Sequence, residues 1–184
     1  MKKVVLDLAV TLDGFIEGPN GETDWCIMDD DMNFDGFLDS IDTIFYGRVS
    51  YDAWGNYQPE DYADADAEEK KLWTSVHAKN KYVFSKQTRE DSRAIFISSD
   101  IAEKVAEIKK QPGKDIWLYG GASLIKTFIQ LHLIDVYRIS VHPVALGSGK
   151  PLFENMKERL ELKLMATHTF RSGVVQLIYE PQHP

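Results

Sequence analysis

The chain carries a single cysteine, Cys26, so it holds no internal disulfide and suits a reducing compartment. Histidines number five, and no His/Cys spacing matches a zinc site, so no metal is expected. No segment approaches the ~18 consecutive apolar residues of a membrane span. The N-terminal Met1-Lys2-Lys3 has the charge of a signal peptide, but Asp7 interrupts the apolar run and no small-residue cleavage site follows. A strand and a cytoplasmic protein are expected. Positive charge is in deficit: the formal net charge is −8, which argues against a nucleic-acid or anionic-membrane surface. Much of that charge lies in Asp29-Asp30-Asp31 and in 60–69, the latter read as a solvated face.

With 184 residues, 43% of them hydrophobic, the chain is long enough for one substantial core and too short for two ordinary domains. A single domain over 1–184 is therefore expected. Apolar, β-branched runs predict strands at 4–10, 43–46, 82–84, 94–97, 116–119 and 136–142, with 161–169 and 173–180 joined as a hairpin by Arg171-Ser172-Gly173. Helical patterns fall at 28–38, after Gly47, at 64–75, at 101–110 and at 122–132. Ser99-Asp100 is read as the cap of the fourth. Strands alternating with helices, then a hairpin, imply an α/β fold with a mostly parallel central sheet covered on both faces.

Ligands of such sheets bind beyond the carboxyl ends of the strands. Three loops leave those ends: the Gly-rich 12–21, the Gly47-Arg48 turn and the Gly120-Gly121 turn. At the last, a strand meets two glycines and then a helix beginning Ala122-Ser123-Leu124. Free N–H groups at such a helix start suit an anionic group such as a nucleotide pyrophosphate. A plain strand-to-helix turn is the alternative for the glycine pair alone. Arg48 could meet a phosphate in bidentate geometry, with the Ser50 hydroxyl nearby, although a surface arginine explains it equally well. Ser85-Lys86 ends a strand where a site for NAD usually places an acid, which suits the 2′-phosphate of NADP instead. Asp30 and Phe34, four residues apart, are expected on one helix face, five residues after Trp25. There a carboxylate could accept the N–H groups of a pterin-like or pyrimidine-like ring while the aromatic packs on it. Alternatively, Asp29 to Asp31 is only an acidic helix start. Cys26 is read as a wall or core thiol more readily than a nucleophile, and His142 as structural. Trp54, Tyr57, Tyr62 and Trp73 form either a flap over the cleft or ordinary core.

The order Ala9, Ile16, Gly18, Trp25, Asp30, Phe34, Gly47-Arg48-Val-Ser50, Gly120-Gly121 resembles the dihydrofolate reductase superfamily. The chain is more similar still to the reductase domain of the bifunctional riboflavin-biosynthesis deaminase–reductase. That likeness is carried by Thr11-Leu-Asp-Gly14, Gly21-Glu-Thr-Asp-Trp25, Asp42 and the block from His142-Pro-Val144 through Leu146-Gly-Ser-Gly-Lys-Pro-Leu-Phe153. The resemblance covers 1–180. It implies a dihydrofolate reductase-like three-layer fold with eight or nine strands, NADPH as cofactor, hydride transfer to a small-molecule substrate and commonly a homodimer. Carried onto this chain, it implies cofactor contacts at Ala9, Val10, Ile16, Gly18, Gly47, Arg48, Ser50, Ser85, Lys86, Gly120, Gly121, Ala122, Ser123 and Leu124. Substrate contacts would be Trp25, Asp30 and Phe34, with Asp30 as the catalytic acid. Where riboflavin enzymes usually have a basic residue, a Lys and a Glu, this chain has Phe15, Asp24 and Tyr119, losing groups that would recognise a ribityl phosphate. The expected activity is reduction of a nitrogen heterocycle, a phosphoribosylaminouracil-like pyrimidine or a pterin. The other readings are an NADP(H)-binding module with little or no turnover and a hydrolase using Cys26.

Overall fold

The structure, a computed structural model, describes residues 1–182. Its centre is an eight-stranded sheet. In chain order the strands are β1 (Val4–Thr11), β3 (Ile41–Gly47), β4 (Asn80–Phe84), β5 (Ile95–Ile97), β6 (Asp115–Gly120), β7 (Val136–His142), β9 (Leu162–Thr169) and β10 (Val175–Pro181). Across the sheet they run β5-β4-β3-β6-β1-β7-β10-β9. All pairs from β5 to β7 are parallel, and β10 is antiparallel to both β7 and β9. This is the expected mostly parallel sheet with a C-terminal hairpin. A second, two-stranded sheet pairs β2 (Phe15–Glu17) with β8 (Lys150–Pro151), within two stretches that carry no strand pattern of their own.

The strands in the middle of the sheet are apolar on both faces because both faces are covered. On one side Leu6, Phe45, Phe84 and Leu118 pack with Phe128 and Val105 from α5 (Ala122–Gln130) and α4 (Ile101–Lys110). Helix α5 turns Leu124, Ile125, Phe128 and Ile129 inward, an i, i+1, i+4, i+5 stripe that matches the helical period. On the other side Val5, Ile44, Tyr46 and Trp117 pack with Phe37 and Leu38 of α1 (Phe34–Ser40) and Val76 of α3 (Ala67–His77). Two cores on one sheet make the three layers.

Four local expectations change. The helix expected over 28–38 is two pieces: a 3-10 turn, Asp30–Met32, then Asn33 in the left-handed region (φ 50°), then α1. Asp30 and Phe34 therefore do not share a helix face. Asp100 precedes α4 at φ 52° with no side-chain cap, because Ser99 Oγ donates to its carboxylate at 2.9 Å instead. Helix α3 starts later than expected, capped by Asp66, whose carboxylate accepts from Glu69 N–H at 2.9 Å. The helix after Gly47, α2 (Arg48–Ser50), continues as a π-helical turn over Tyr51–Gly55.

Candidate functional site

In a parallel pair, residues in register point to the same face. Asp7 is opposite Arg138, Ala9 opposite Ser140 and Thr11 opposite His142 on β1 and β7. Gln176 of β10 is opposite Ser140. Six polar side chains thus share one face of the sheet's middle, where hydrophobic burial alone would place apolar ones. Above them lies a cleft of about 550 Å³ whose lining includes Asp7, Arg138, Ser140, His142, Gln176, Trp117 and Tyr119. Its other walls are Phe34, Met32, the 23–28 loop, and Val49, Ser50, Ala53 and Trp54 from the segment after β3.

The floor is charged. Arg138 Nε lies 3.4 Å from Asp7 Oδ1, with the side chains 19% and 9% exposed. Arg138 Nε is buried without a hydrogen-bond partner. Burial pushes the Asp7 carboxyl up to about 6, against the pull of the Arg138 guanidinium. The pair is held from beneath: the Arg138 guanidinium carbon sits 4.7 Å from the centre of the Phe37 ring, and Trp117 Nε1 donates to the Asp7 carbonyl at 3.1 Å. Trp117 also meets Phe34 edge-on at 5.7 Å and Tyr119 edge-on at 5.0 Å, making an aromatic wall of mutually inclined rings. Burial raises the Tyr119 phenol to about 12, so it stays protonated near neutrality.

The loops around the floor are pinned by the residues of the signature blocks. Asp13 accepts from Thr11 Oγ1 at 2.6 Å and from the N–H groups of Leu146 and Gly147 at 3.2 and 2.7 Å. It thereby clamps the loop after β1 to the 146–149 loop. Lys150 and Glu17 form an ion pair across β2 and β8. His142 places Nδ1 3.0 Å from the Ser140 carbonyl and Nε2 3.3 Å from the Ile27 carbonyl, and Trp25 meets its ring edge-on at 5.4 Å. His142 so ties the 25–28 segment to the sheet.

At the far end, β3 and β6 finish side by side. A Cβ built on Gly47 would lie 3.4 Å from both Gly120 O and Gly121 N, and one on Gly121 would come within 3.0 Å of Ser50 Oγ. Gly121 is the N-cap residue of α5, with no side-chain cap, and it accepts from Leu124 and Ile125 N–H at 2.9 and 3.0 Å. The preceding N–H groups of the first turn are left to a ligand or solvent. Arg48 pairs with Asp52 at 3.0 Å, and Asp52 also holds Arg89 at 2.8 Å. Arg89 lies over the Phe96 ring at 4.9 Å, an arginine the sequence reading did not single out. Nucleotide phosphates fit these groups chemically: backbone donors, a serine hydroxyl and arginines together, with glycine where a side chain would crowd Ser50.

The expected residues divide as follows. Ala9, Ile16, Ser50, Gly121 and Phe34 line the cleft. Val10 and Leu124 are buried in the core beside it, and Gly18 and Gly120 are also buried. Gly47, Arg48, Ala122 and Ser123 stand at the β3 and β6 ends, while Ser85 and Lys86 follow β4, which lies on the far side of β3. Trp25 packs on His142 rather than lining the cleft. Asp30 is exposed and outside the lining, because the left-handed Asn33 separates its turn from α1. Asp7 and Arg138, both in the cleft lining, were not among the residues expected from the sequence. The signal was a charged residue inside a strand otherwise suited to burial. Cys26 lines the cleft, but desolvation and the Asp24 charge hold its thiol up, which disfavours the thiolate a nucleophile needs. Trp54 brings the 54–73 aromatics to the rim, stacked with Trp73 at 6.2 Å and 5°. Among the described residues no cluster of metal-ligating side chains occurs, and no helix is long and apolar enough to cross a membrane.

The RibD C-terminal domain family model matches residues 2–176. The uncharacterized protein YyaP of Bacillus subtilis is 62% identical over 179 residues, 97% of this chain and 94% of that protein. Among solved structures, a putative riboflavin biosynthesis protein from Shewanella sp. PV-4 superposes with TM-score 0.77 at 21% identity, over all of both chains. A dihydrofolate reductase from Enterococcus faecalis, complexed with NADP(H) and RAB-propyl, gives 0.67 at 14%, over 98% of this chain and 97% of that one. At these identities the two structures show a shared fold.

Proposed function

The chain belongs to the RibD C-terminal domain family, and from that footing we propose that it is an NADPH-dependent reductase of a small nitrogen heterocycle. The observation that carries this reading is one cleft with two unlike ends. One end offers the glycine turn, the start of α5 and Ser50, with Arg48 and Arg89 on Asp52 outside the lining; the other offers an aromatic wall over a buried Asp7–Arg138 pair.

When bound, NADPH would supply a hydride from its nicotinamide. Ala122 and Ser123 N–H groups with Ser50 would hold its phosphates, and Arg48 the 2′-phosphate end. Trp117, Phe34 and Trp54 would press a planar ring into place and exclude water, which orients the reactants and strengthens each polar contact within. The nitrogen of a reduced C=N bond needs a proton. With its carboxyl at about 6, Asp7 keeps a fraction of that proton near neutral pH, a role the resemblance would give to Asp30. A homodimer is retained as a proposal, with β9 at the sheet's outer edge and Leu164 and Met165 half-exposed on it.

The test is direct. NADPH and NADH affinities are measured by protein fluorescence, then NADPH oxidation is followed against a panel of pterins, folates and pyrimidines. Tighter NADPH binding with turnover of a panel member supports the proposal. Equal affinity for the two cofactors overturns the cofactor, and NADPH binding without turnover favours a binding module.

A further inference from the structure

Resting on the reductase reading, we propose that the cleft floor selects an uncharged, unphosphorylated planar lactam. Its ring would offer an N–H to the Asp7 carboxylate and the neighbouring carbonyl oxygen to the Arg138 guanidinium. Both protein groups are in place, paired by charge but not by a hydrogen bond. The Asp7 side chain is 9% exposed and its carboxylate accepts no hydrogen bond from any described residue, and Arg138 Nε is buried and unsatisfied. Their 3.4 Å approach is an ion pair without a hydrogen bond; Arg138 Nε is enclosed, and the part of the guanidinium that the cleft reaches, with the Asp7 carboxylate, retains its capacity for a ligand. Buried polar groups are normally paired, and an unpaired donor beside an unpaired acceptor lining a cleft is complementary to a donor–acceptor edge.

One register step along, Gln176 Nε2 donates to Ser140 Oγ at 3.2 Å. That leaves the Gln176 amide oxygen and the Ser140 hydroxyl proton as a second acceptor and donor beside the first two. Phe37 under Arg138 and the Trp117 indole on the Asp7 backbone hold the pair before any ligand arrives. The aromatic side chains of the wall offer ring faces and edges against which a planar heterocycle packs. Charge decides the rest. Arg138 is the one Lys or Arg among the described lining residues, facing Asp7 and Glu17, and Glu17 is engaged by Lys150. A phosphate dianion on the substrate would enter a cleft with no cation to spare.

The test is calorimetric titration of the full chain saturated with NADP⁺. The probes are pterin, 3-methylpterin (its lactam N–H blocked), and 5-amino-6-ribitylaminouracil with and without a 5′-phosphate. Pterin should bind at least tenfold tighter than 3-methylpterin, and the phosphate should weaken the uracil probe. Asp7→Asn and Arg138→Met should each cost pterin tenfold or more with NADP⁺ affinity unchanged. A smaller N-methyl effect, tighter binding of the phosphorylated probe, or no binding of either unblocked probe overturns the proposal. If a variant fails to fold by circular dichroism, the ligand comparisons on the parent protein decide alone. If the parent does not bind NADP⁺, the reductase reading fails. The same titrations without cofactor then judge the floor separately, on the same criteria.

Discussion

The clearest quantitative consequence of the buried pair is a pH dependence of stability with an unusual sign. Most folded-state carboxylates are stabilised as anions, so proteins lose stability as pH falls. Asp7 runs the other way, its pKa raised from 3.8 to about 6, chiefly by burial. The folded state therefore holds the proton more tightly than the unfolded chain. Its contribution is fully present below the unfolded value near 4 and is lost as pH rises through about 6. A rise of that size corresponds to about 3 kcal/mol. Replacing Asp7 by Asn removes the titration while keeping size and position. Leaving Arg138 without a counter-charge adds a cost, but that cost varies little with pH because the guanidinium stays charged. The informative quantity is thus the difference in unfolding free energy, Asp7→Asn minus parent, which should rise by about 3 kcal/mol between pH 3 and pH 7. In thermal melts of a chain this size it corresponds to roughly 6–12 °C of relative Tm. Urea unfolding at half-unit pH steps, on both proteins in matched salt, measures it. A flat difference would remove the burial argument. A falling one would mean that the pull of Arg138 outweighs desolvation, so that the carboxylate is ionised throughout.

Gly121→Val should abolish NADPH binding in a protein that circular dichroism shows folded, since a Cβ there already comes within 3.0 Å of Ser50 Oγ. Unchanged affinity would return the glycine pair to an ordinary turn. Arg48→Ala should weaken NADPH by about 1.5–3 kcal/mol, the worth of a hydrogen bond to a charged group, and leave NADH nearly unchanged. Equal losses for both cofactors would instead point to the Asp52–Arg89 cluster as a structural unit. Asp30→Asn should leave stability within about 0.5 kcal/mol and turnover within twofold, because the residue is exposed and outside the cleft lining. A hundredfold loss of turnover would restore the helix acid as the proton source.

The architecture was legible in the sequence because it follows from local patterns. The run Val4-Val5-Leu6 and the stripe Leu124, Ile125, Phe128, Ile129 show their periods directly, and the glycine turns mark where strands become helices. The cleft was legible only in part, for two separate physical reasons. Placing Asp30 on the helix face of Phe34 assumed unbroken helical geometry across Met32-Asn33. Asparagine is among the few non-glycine residues that enter the left-handed region readily, and here it does, at φ 50°. One residue in that conformation turns the carboxylate out of the cleft. For Asp7 the information was present but incomplete: a charge inside a buried strand signals a partner, and nothing local names it. That partner is Arg138, 131 positions along the chain, brought into register by a parallel pairing whose hydrogen bonds carry no residue identity.

That pairing also explains why the substrate end of the cleft falls where it does. Strands β6, β1 and β7 are consecutive in the sheet, and their shared face ends under the loops that Asp13, Lys150 and His142 pin. The apolar residues of β1, Val4, Val5 and Leu6, serve the two cores, and its later residues Asp7 and Ala9 leave them for the cleft. In the second half of the strand one face, Asp7 and Ala9, lines the cleft while Val10 on the other stays in the core. A buried ion pair at that boundary is a poor source of stability, since apolar residues of similar volume would serve as well or better. Burial with unfilled hydrogen-bonding capacity is costly unless a ligand completes it. The cost falls where the sheet lines the cleft beside aromatic side chains, and this is the physical reason for assigning the pair to recognition rather than to folding.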